Sequence, residues 1–361
     1  MVLSTTALAA LAAAAVAGVA RAADYALVDQ YDKTNFFSEF DFFSGPDPTH
    51  GYVDYVDATT ANNRQLAGYA GGKGKGGNDA VYLGVDHVNV TQPSGTGRSS
   101  VRVSSRKAYT RGLFVADIAH MPAGSAQSSS CGLWPAFWMF GPNWPSSGEI
   151  DILEGVNSQQ SNAVTLHTSD GCTIQNTAGA VASTKLVSSN CYGSTGCGQQ
   201  TDEAGTFGSA FNAQGGGIYA VEWTDSAISV WFFPRDSATT QQLSSGGGNA
   251  TAPPPDTSTF GQPLAAFVGG SSCSIDSHFR DHALTFNTAF CGDWAGKVWS
   301  SDAKCAALAG TCEEYVAANP AAFADAYWLI NSVKVYQQQQ AGNGAATRRS
   351  RLDTQSAKFR L

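Results

Sequence analysis

Residues 148–157 read Gly148-Glu149-Ile150-Asp151-Ile152-Leu153-Glu154-Gly155-Val156-Asn157, which sets three carboxylates inside a short, otherwise apolar run. Carboxylates are rare in buried strands unless they have a task, because taking a charge out of water is costly. The β-branched content and the bounding glycines are those of a strand. Residues two apart in a strand share a face, so Glu149 and Asp151 point the same way. Glu154 is five positions beyond Glu149 and would fall on the opposite face of a regular strand. One extra residue at Ile152–Leu153, a β-bulge, returns it to the face of Asp151, and bulges recur beside active sites for this purpose.

Three acids in a row on one side of a sheet suggest general acid and nucleophile chemistry. Two carboxylates about 5–5.5 Å apart match a retaining glycosidase, in which one attacks and the other protonates the leaving oxygen and later activates water. Asp151, in the middle, would hydrogen-bond the nucleophile and separate the ionisation of its neighbours, since three close acids cannot all ionise freely. A calcium site would use the same residue type, but hard cations favour flexible loops over Ile-spaced strand positions. A solvated, incidentally acidic edge strand is the remaining alternative.

Gly-Glu-Ile-Asp-Ile-Leu-Glu resembles the active-site motif of family 16 glycoside hydrolases in its bulged Glu-x-Asp-x-x-Glu form. Trp134-Pro135-Ala136-Phe137-Trp138 and Gly141-Pro142-Asn143-Trp144-Pro145 before it, and His167-Thr168-Ser169-Asp170-Gly171-Cys172 after it, extend the likeness. It covers Tyr25 to Gln337 and is similar to fungal laminarinase-type endo-β-1,3(4)-glucanases. The resemblance implies an all-β fold, a two-sheet antiparallel β-sandwich of the jelly-roll, concanavalin-like kind with a concave substrate cleft. It also implies Glu149 as nucleophile, Asp151 as assisting carboxylate and Glu154 as acid/base. No cofactor and no metal are expected.

The first 22 residues read as a signal peptide: the small apolar run Ala7–Val19 ends in the Ala20-Arg21-Ala22 cleavage pattern, although no Lys or Arg precedes it. No stretch is long and apolar enough for a membrane span. Eight cysteines form an even set outside the leader, which in a secreted chain implies disulfides, in one of 105 pairings. Zinc spacing is absent. Two glycosylation sequons, Asn89-Val90-Thr91 and Asn249-Ala250-Thr251, agree with export. The expected location is extracellular.

Charged residues make up only 14% of the chain and the net charge is −8. The segment from Ala341 carries +4, leaving −12 on the remainder. An acidic body disfavours nucleic acid and anionic membranes and is indifferent to a neutral polysaccharide. The balance agrees with the β-glucan that the resemblance implies as partner but would not have found it, and a monomer with no nucleic-acid and no membrane partner is expected. The expected organisation is a leader over 1–22, one β-sandwich domain over 23–337 and a disordered basic tail over 338–361.

Strand-like runs are expected at Val81–Val90, Ser100–Ser105, Gly112–Ile118, Ala136–Phe140, Glu149–Leu153, Val164–His167, Gly217–Thr224, Ile228–Pro234, Leu264–Val268 and Ala326–Tyr336. Thr224–Ala227 reads as a hairpin turn, and a small helix is expected near Ala306–Leu308. Ala70–Asn78 and Ser244–Pro255 read as surface loops.

Flat C–H faces of pyranose rings stack on aromatic side chains. Trp144 lies in a Pro-bracketed loop where a core role is least natural. Trp134 and Trp138 share a strand face, Trp138 resembling the family's cleft tryptophan, and Trp294 is loop-borne. These four are the candidate sugar platforms, whereas Trp223 and Trp231 read as packing. His167, ending the next strand, is expected to touch sugar or nucleophile. Asn157 would bond a ring hydroxyl or cap a turn. Arg102 is a strand residue that could reach the cleft, a surface ion pair being the preferred reading. The alternatives to hydrolysis are a glucan transglycosylase using the same trio and a non-catalytic β-glucan-binding protein.

Overall fold

The computed structural model describes residues 25–71, 79–124, 130–174, 184–245 and 254–338. Among these, two eight-stranded antiparallel sheets form a sandwich. One sheet runs Ala265–Val268, Ala227–Pro234, Gly217–Trp223, Gly112–His120, Trp328–Gln338, Ala80–Leu83 and Ala67–Ala70, with Tyr25–Asp32 also paired to Trp328–Gln338. The other runs Thr184–Ser188, Cys197–Thr201, Ala163–His167, Glu149–Glu154, Leu133–Phe140, His282–Phe290, Arg102–Tyr109 and Phe40–Phe42. The second sheet carries the acidic strand near its middle.

Alternation places one side of each strand in the core between the sheets. Phe137, Met139, Ile150, Ile152 and Phe286 enter it from the acidic sheet, and Phe114, Ile118 and Val333 from the other. Gly112–His120 reads as one continuous apolar run because its second face is buried too. There Leu113 and Val115 join Trp231, Phe233, Phe260 and Leu243 of the Ala238–Ser245 helix. Asp117 interrupts the run and is fully engaged, by Arg235 Nη1 at 2.6 Å, Ser244 Oγ at 2.7 Å and Asn331 Nδ2 at 2.8 Å. A third apolar cluster, around Cys131, Phe290, Trp299 and Val316, sits beside the cleft end of the acidic sheet.

The expected hairpin is present, with Thr224 Oγ1 accepting from the amides of Ser226 and Ala227 at its turn. The run from Val81 does not continue to Val90. The strand stops at Leu83, and Asp86 Oδ1 accepts from the amides of Val88 and Asn89, a turn that leaves Val88 and Val90 exposed. The small helix expected near Ala306–Leu308 ends there instead, as Ala303–Ala306, and a second helix follows at Cys312–Ala318 with a Thr311/Glu314 capping box. All eight cysteines are paired, as Cys131–Cys305, Cys172–Cys273, Cys191–Cys197 and Cys291–Cys312. No helix among the described residues is long and apolar enough to cross a membrane. The leader, most of the two Gly-rich loops, Asn249 and the basic tail lie outside the described residues.

Candidate active site

The bulge lies at the expected residues. Against Leu133–Phe140 the register passes from Asp151↔Trp138 to Leu153↔Phe137, and against Ala163–His167 from Asp151↔Thr165 to Glu154↔Ala163. A side chain the sequence did not single out secures it. Asn162, fully buried, accepts from the Glu154 amide at 2.8 Å and donates to the Ile152 carbonyl at 2.7 Å. These are the backbone groups that the extra residue takes out of the ladder, and leaving them unpaired in the interior would be costly. Glu149, Asp151 and Glu154 therefore share the face turned away from the core.

Register places small residues beside Glu154 and on one side of Asp151, and the aromatic Trp138 and Phe140 directly opposite Asp151 and Glu149 on the other. Glu154 is flanked by Ala136 and Ala163, and Asp151 by Thr165, followed by Gly198. This leaves an open floor on one side of the trio. On the other, Trp138 and Phe140 stack with ring centres 4.8 Å apart, and Trp138 Nε1 donates to Asn287 Oδ1 at 2.7 Å. Trp134 Nε1 donates to Glu154 Oε1 at 2.7 Å, and its indole meets Trp294 edge-on with centres 5.8 Å apart. Trp144 is 49% exposed on the loop before the acidic strand. Trp223 and Trp231 are buried in the packing.

Electrostatics separates the three acids. Asp151 is 2% exposed and its Oδ2 lies 3.1 Å from His167 Nε2 as a buried ion pair. Burial first, then the charge of Asp151, pushes Glu149 up to about 8, against the opposing charges of His167 and Arg102. Burial and Asp151 hold Glu154 well above the usual carboxylate range, against the Trp134 hydrogen bond. For His167 burial works against the charge, but the hydrogen bond and charge of Asp151, then Glu149 and the Gly193 carbonyl, outweigh it and push the imidazolium up to about 10. The stabilisation from that cation is complete below pH 6.5 and disappears as the pH rises through about 10.

Two residues with open readings fall on one side of them. Asn157 is 2% exposed, and its amide is committed to protein: Oδ1 accepts from Gly132 N and Nδ2 donates to Ala295 O, each at 2.8 Å. It ties the Trp134 strand to the turn bearing Trp294, buried away from solvent. Arg102 is not in a surface ion pair. Its guanidinium carbon sits 4.8 Å from the centre of the Trp138 ring and 4.9 Å from that of Phe43, on the face that carries the acids. Glu149, Asp151 and His167 bring one side-chain atom each within 4.8 Å of one another, and both His167 nitrogens already face protein oxygens, Gly193 O and Asp151 Oδ2.

Residues 40–336 match the family model for the XgeA-like catalytic GH16 domain. The chain belongs to glycoside hydrolase family 16. This family 16 chain is 45% identical over 328 residues to an endo-1,3(4)-beta-glucanase of Arthroderma benhamiae, covering 89% of the chain and 66% of that protein. It is 40% identical over 324 residues to the endo-1,3(4)-beta-glucanase xgeA of Emericella nidulans, covering 88% of the chain and 48% of that protein. It thus spans less than two thirds of either relative. The structure superposes on GH16 laminarinase 16A of Phanerochaete chrysosporium, seen with β-glucans in donor and acceptor sites, with a TM-score of 0.75 and 41% identity over 87% of this chain and 99% of that one. An elongating family 16 β-1,3-glucosyltransferase gives the same TM-score with 40% identity, over 87% of this chain and 100% of that one. The sandwich is therefore a family 16 jelly roll, and the acidic strand lies within the matched catalytic domain.

Proposed function

We propose that the chain is a secreted, endo-acting retaining β-glucanase that cleaves β-1,3-glucan, and mixed β-1,3-1,4-glucan as a second substrate. The observation that carries this reading is the bulged strand that puts Glu149 and Glu154 on one face in different electrostatic surroundings. Glu149 attacks the anomeric carbon while Glu154 gives its proton to the departing oxygen. Glu154 then takes a proton from the water that releases the glucosyl-enzyme. Burial and Asp151 raise both glutamates and His167 opposes both, but Arg102 favours the anion on Glu149 alone, and Glu154 is held well above the usual carboxylate range. The Trp134 N–H occupies one Glu154 oxygen, which leaves the other free to carry that proton toward the cleft.

Neutral pyranose rings suit a cleft whose one side is Trp138, Phe140 and Arg102 and whose rim offers Trp134, Trp294 and Trp144. The relatives named endo-1,3(4)-beta-glucanase and the laminarinase that holds β-glucans support the same substrate class. The test is product analysis by mass and NMR after incubating the full chain with each glucan, with and without a chelator. Short oligosaccharides that appear first as β-anomers, unaffected by the chelator, are expected. First-formed α-anomers, or binding without cleavage, would overturn the reading. The likeness to an elongating glucosyltransferase favours a second reading, in which a sugar hydroxyl replaces water in the second step. Lengthened products would identify it.

Export should also leave a mark. Asn89 is exposed on the turn after Leu83, within its Asn-Val-Thr sequon and between two exposed valines. Protein made by a fungal host is expected to lose a glycan mass on amidase treatment, and Asn89→Gln to remove that part of the shift.

A further inference from the structure

His167 lies between two residues gripped by one short covalent ring. Cys191 and Cys197, six positions apart, are disulfide-bonded and fully buried. At one end of the ring, the Cys191 carbonyl accepts from Thr168 N at 2.7 Å, and Gly193 N donates back to Thr168 O at 3.1 Å. At the other end, Cys197 pairs with Leu166 in the ladder. The ring thus holds the residues on both sides of His167. Its Gly193 carbonyl also faces His167 Nδ1 at 2.8 Å. The fit is close: a Cβ on Gly196, where φ is +64°, would stand 2.6 Å from Leu166 O, 2.7 Å from His167 Cε1 and 2.8 Å from Nδ1.

We propose that the Cys191–Cys197 ring is a positioning device for the acidic trio, fixing His167 with Nδ1–H on the Gly193 carbonyl and Nε2 on Asp151 so that an imidazolium stays opposite Asp151 and Glu149. The proposal rests on the reading of Glu149 as nucleophile. A ring nitrogen bonded to a carbonyl must carry a proton, so Nε2 can donate to Asp151 only when the ring is cationic. An imidazole as buried as this one would otherwise tend to be neutral. The charges facing it are Asp151 and Glu149 from the adjacent strand, with Glu154 farther along that strand and Arg102 across Glu149. The disulfide ring itself contributes the exposed Tyr192, Ser194 and Thr195 and no charged side chain. Opening it therefore changes geometry without changing local charge.

The experiment is Cys191→Ser combined with Cys197→Ser in the full chain, with His167 titrated by NMR and glucan cleavage followed against pH. The His167 midpoint is expected to fall by about one unit or more. At neutral pH kcat should drop about tenfold with KM within about twofold, because a loosely held His167 weakens transition-state support more than ground-state binding, and the acid limb should move to higher pH, because Glu149 loses part of the charge that favours its anion. A folded variant with unchanged midpoint and pH profile would overturn the proposal. If the double variant does not fold, Gly196→Ala in the intact ring presses its methyl against His167 and is expected to shift the same midpoint; no shift would overturn the proposal. The NMR midpoint can be read even if wild type cleaves no glucan, so the two failures are distinguishable.

Discussion

Glu149→Ala is expected to lower glucan turnover by at least about 10⁴-fold while leaving the circular dichroism spectrum intact, as removal of a nucleophile does in enzymes of comparable power. The fold should not suffer, and the sign of the titration argues that it gains. A carboxyl whose folded-state value is raised from 4.5 to about 8 opposes folding once it must ionise, so stability is lost as the pH rises above 4.5. The variant should therefore melt at or above the wild-type temperature at pH 7, and the difference should vanish at pH 4. Glu154→Gln is expected to behave differently. It should still form the glucosyl-enzyme from an aryl glycoside with a good leaving group, and should lose the alkaline limb of kcat/KM, because the group that must stay protonated is gone. Substantial glucan cleavage by Glu149→Ala would remove the assignment, as would an unchanged pH profile in Glu154→Gln.

How much of this was legible in the chain depends on which interactions are local. The trio and its bulge could be read because a period of two makes the five-residue spacing of Glu149 and Glu154 conspicuous, and that mismatch has one short remedy. His282–Phe290 was not anticipated, although it is the strand beside the Trp138 strand. Its open face carries Thr285 and Asn287, which serve the cleft and break the apolar run that betrays a strand. Val81–Val90 failed in the opposite sense, since valines at 88 and 90 look like a strand and the Asp86 turn that expels them is a side-chain effect. Arg102 and Asn157 illustrate a third reason. Whether a polar residue meets solvent, substrate or a backbone carbonyl 138 positions away is decided by tertiary contacts, as Asn157 and Ala295 show. The disulfide partners are set in the same way, by strand register rather than by cysteine spacing.

Asn162→Ala tests the device that aims the acid. Wild-type Asn162 supplies both halves of a hydrogen-bond pair, accepting from Glu154 N and donating to Ile152 O, in a site with no solvent access. Alanine strands both backbone groups, at a cost of about 2–4 kcal/mol, which for a domain of this size is roughly 3–6 °C in melting temperature. The strand can recover those bonds only by drawing the extra residue back toward the regular ladder, which swings Glu154 away from the face of Glu149. A displacement of about 1 Å at a reacting group is worth roughly 10²-fold in rate, so kcat should fall by that order or more with a smaller change in KM. Asn162→Asp separates geometry from charge. It keeps the acceptor for Glu154 N, cannot donate to Ile152 O, and brings a fourth carboxyl close to the trio. It should retain more of the fold than alanine does and lower activity through a shifted pH profile instead. Equal melting temperatures and equal kcat in wild type and Asn162→Ala would show that the bulge holds itself through the register of its neighbouring strands, without the asparagine.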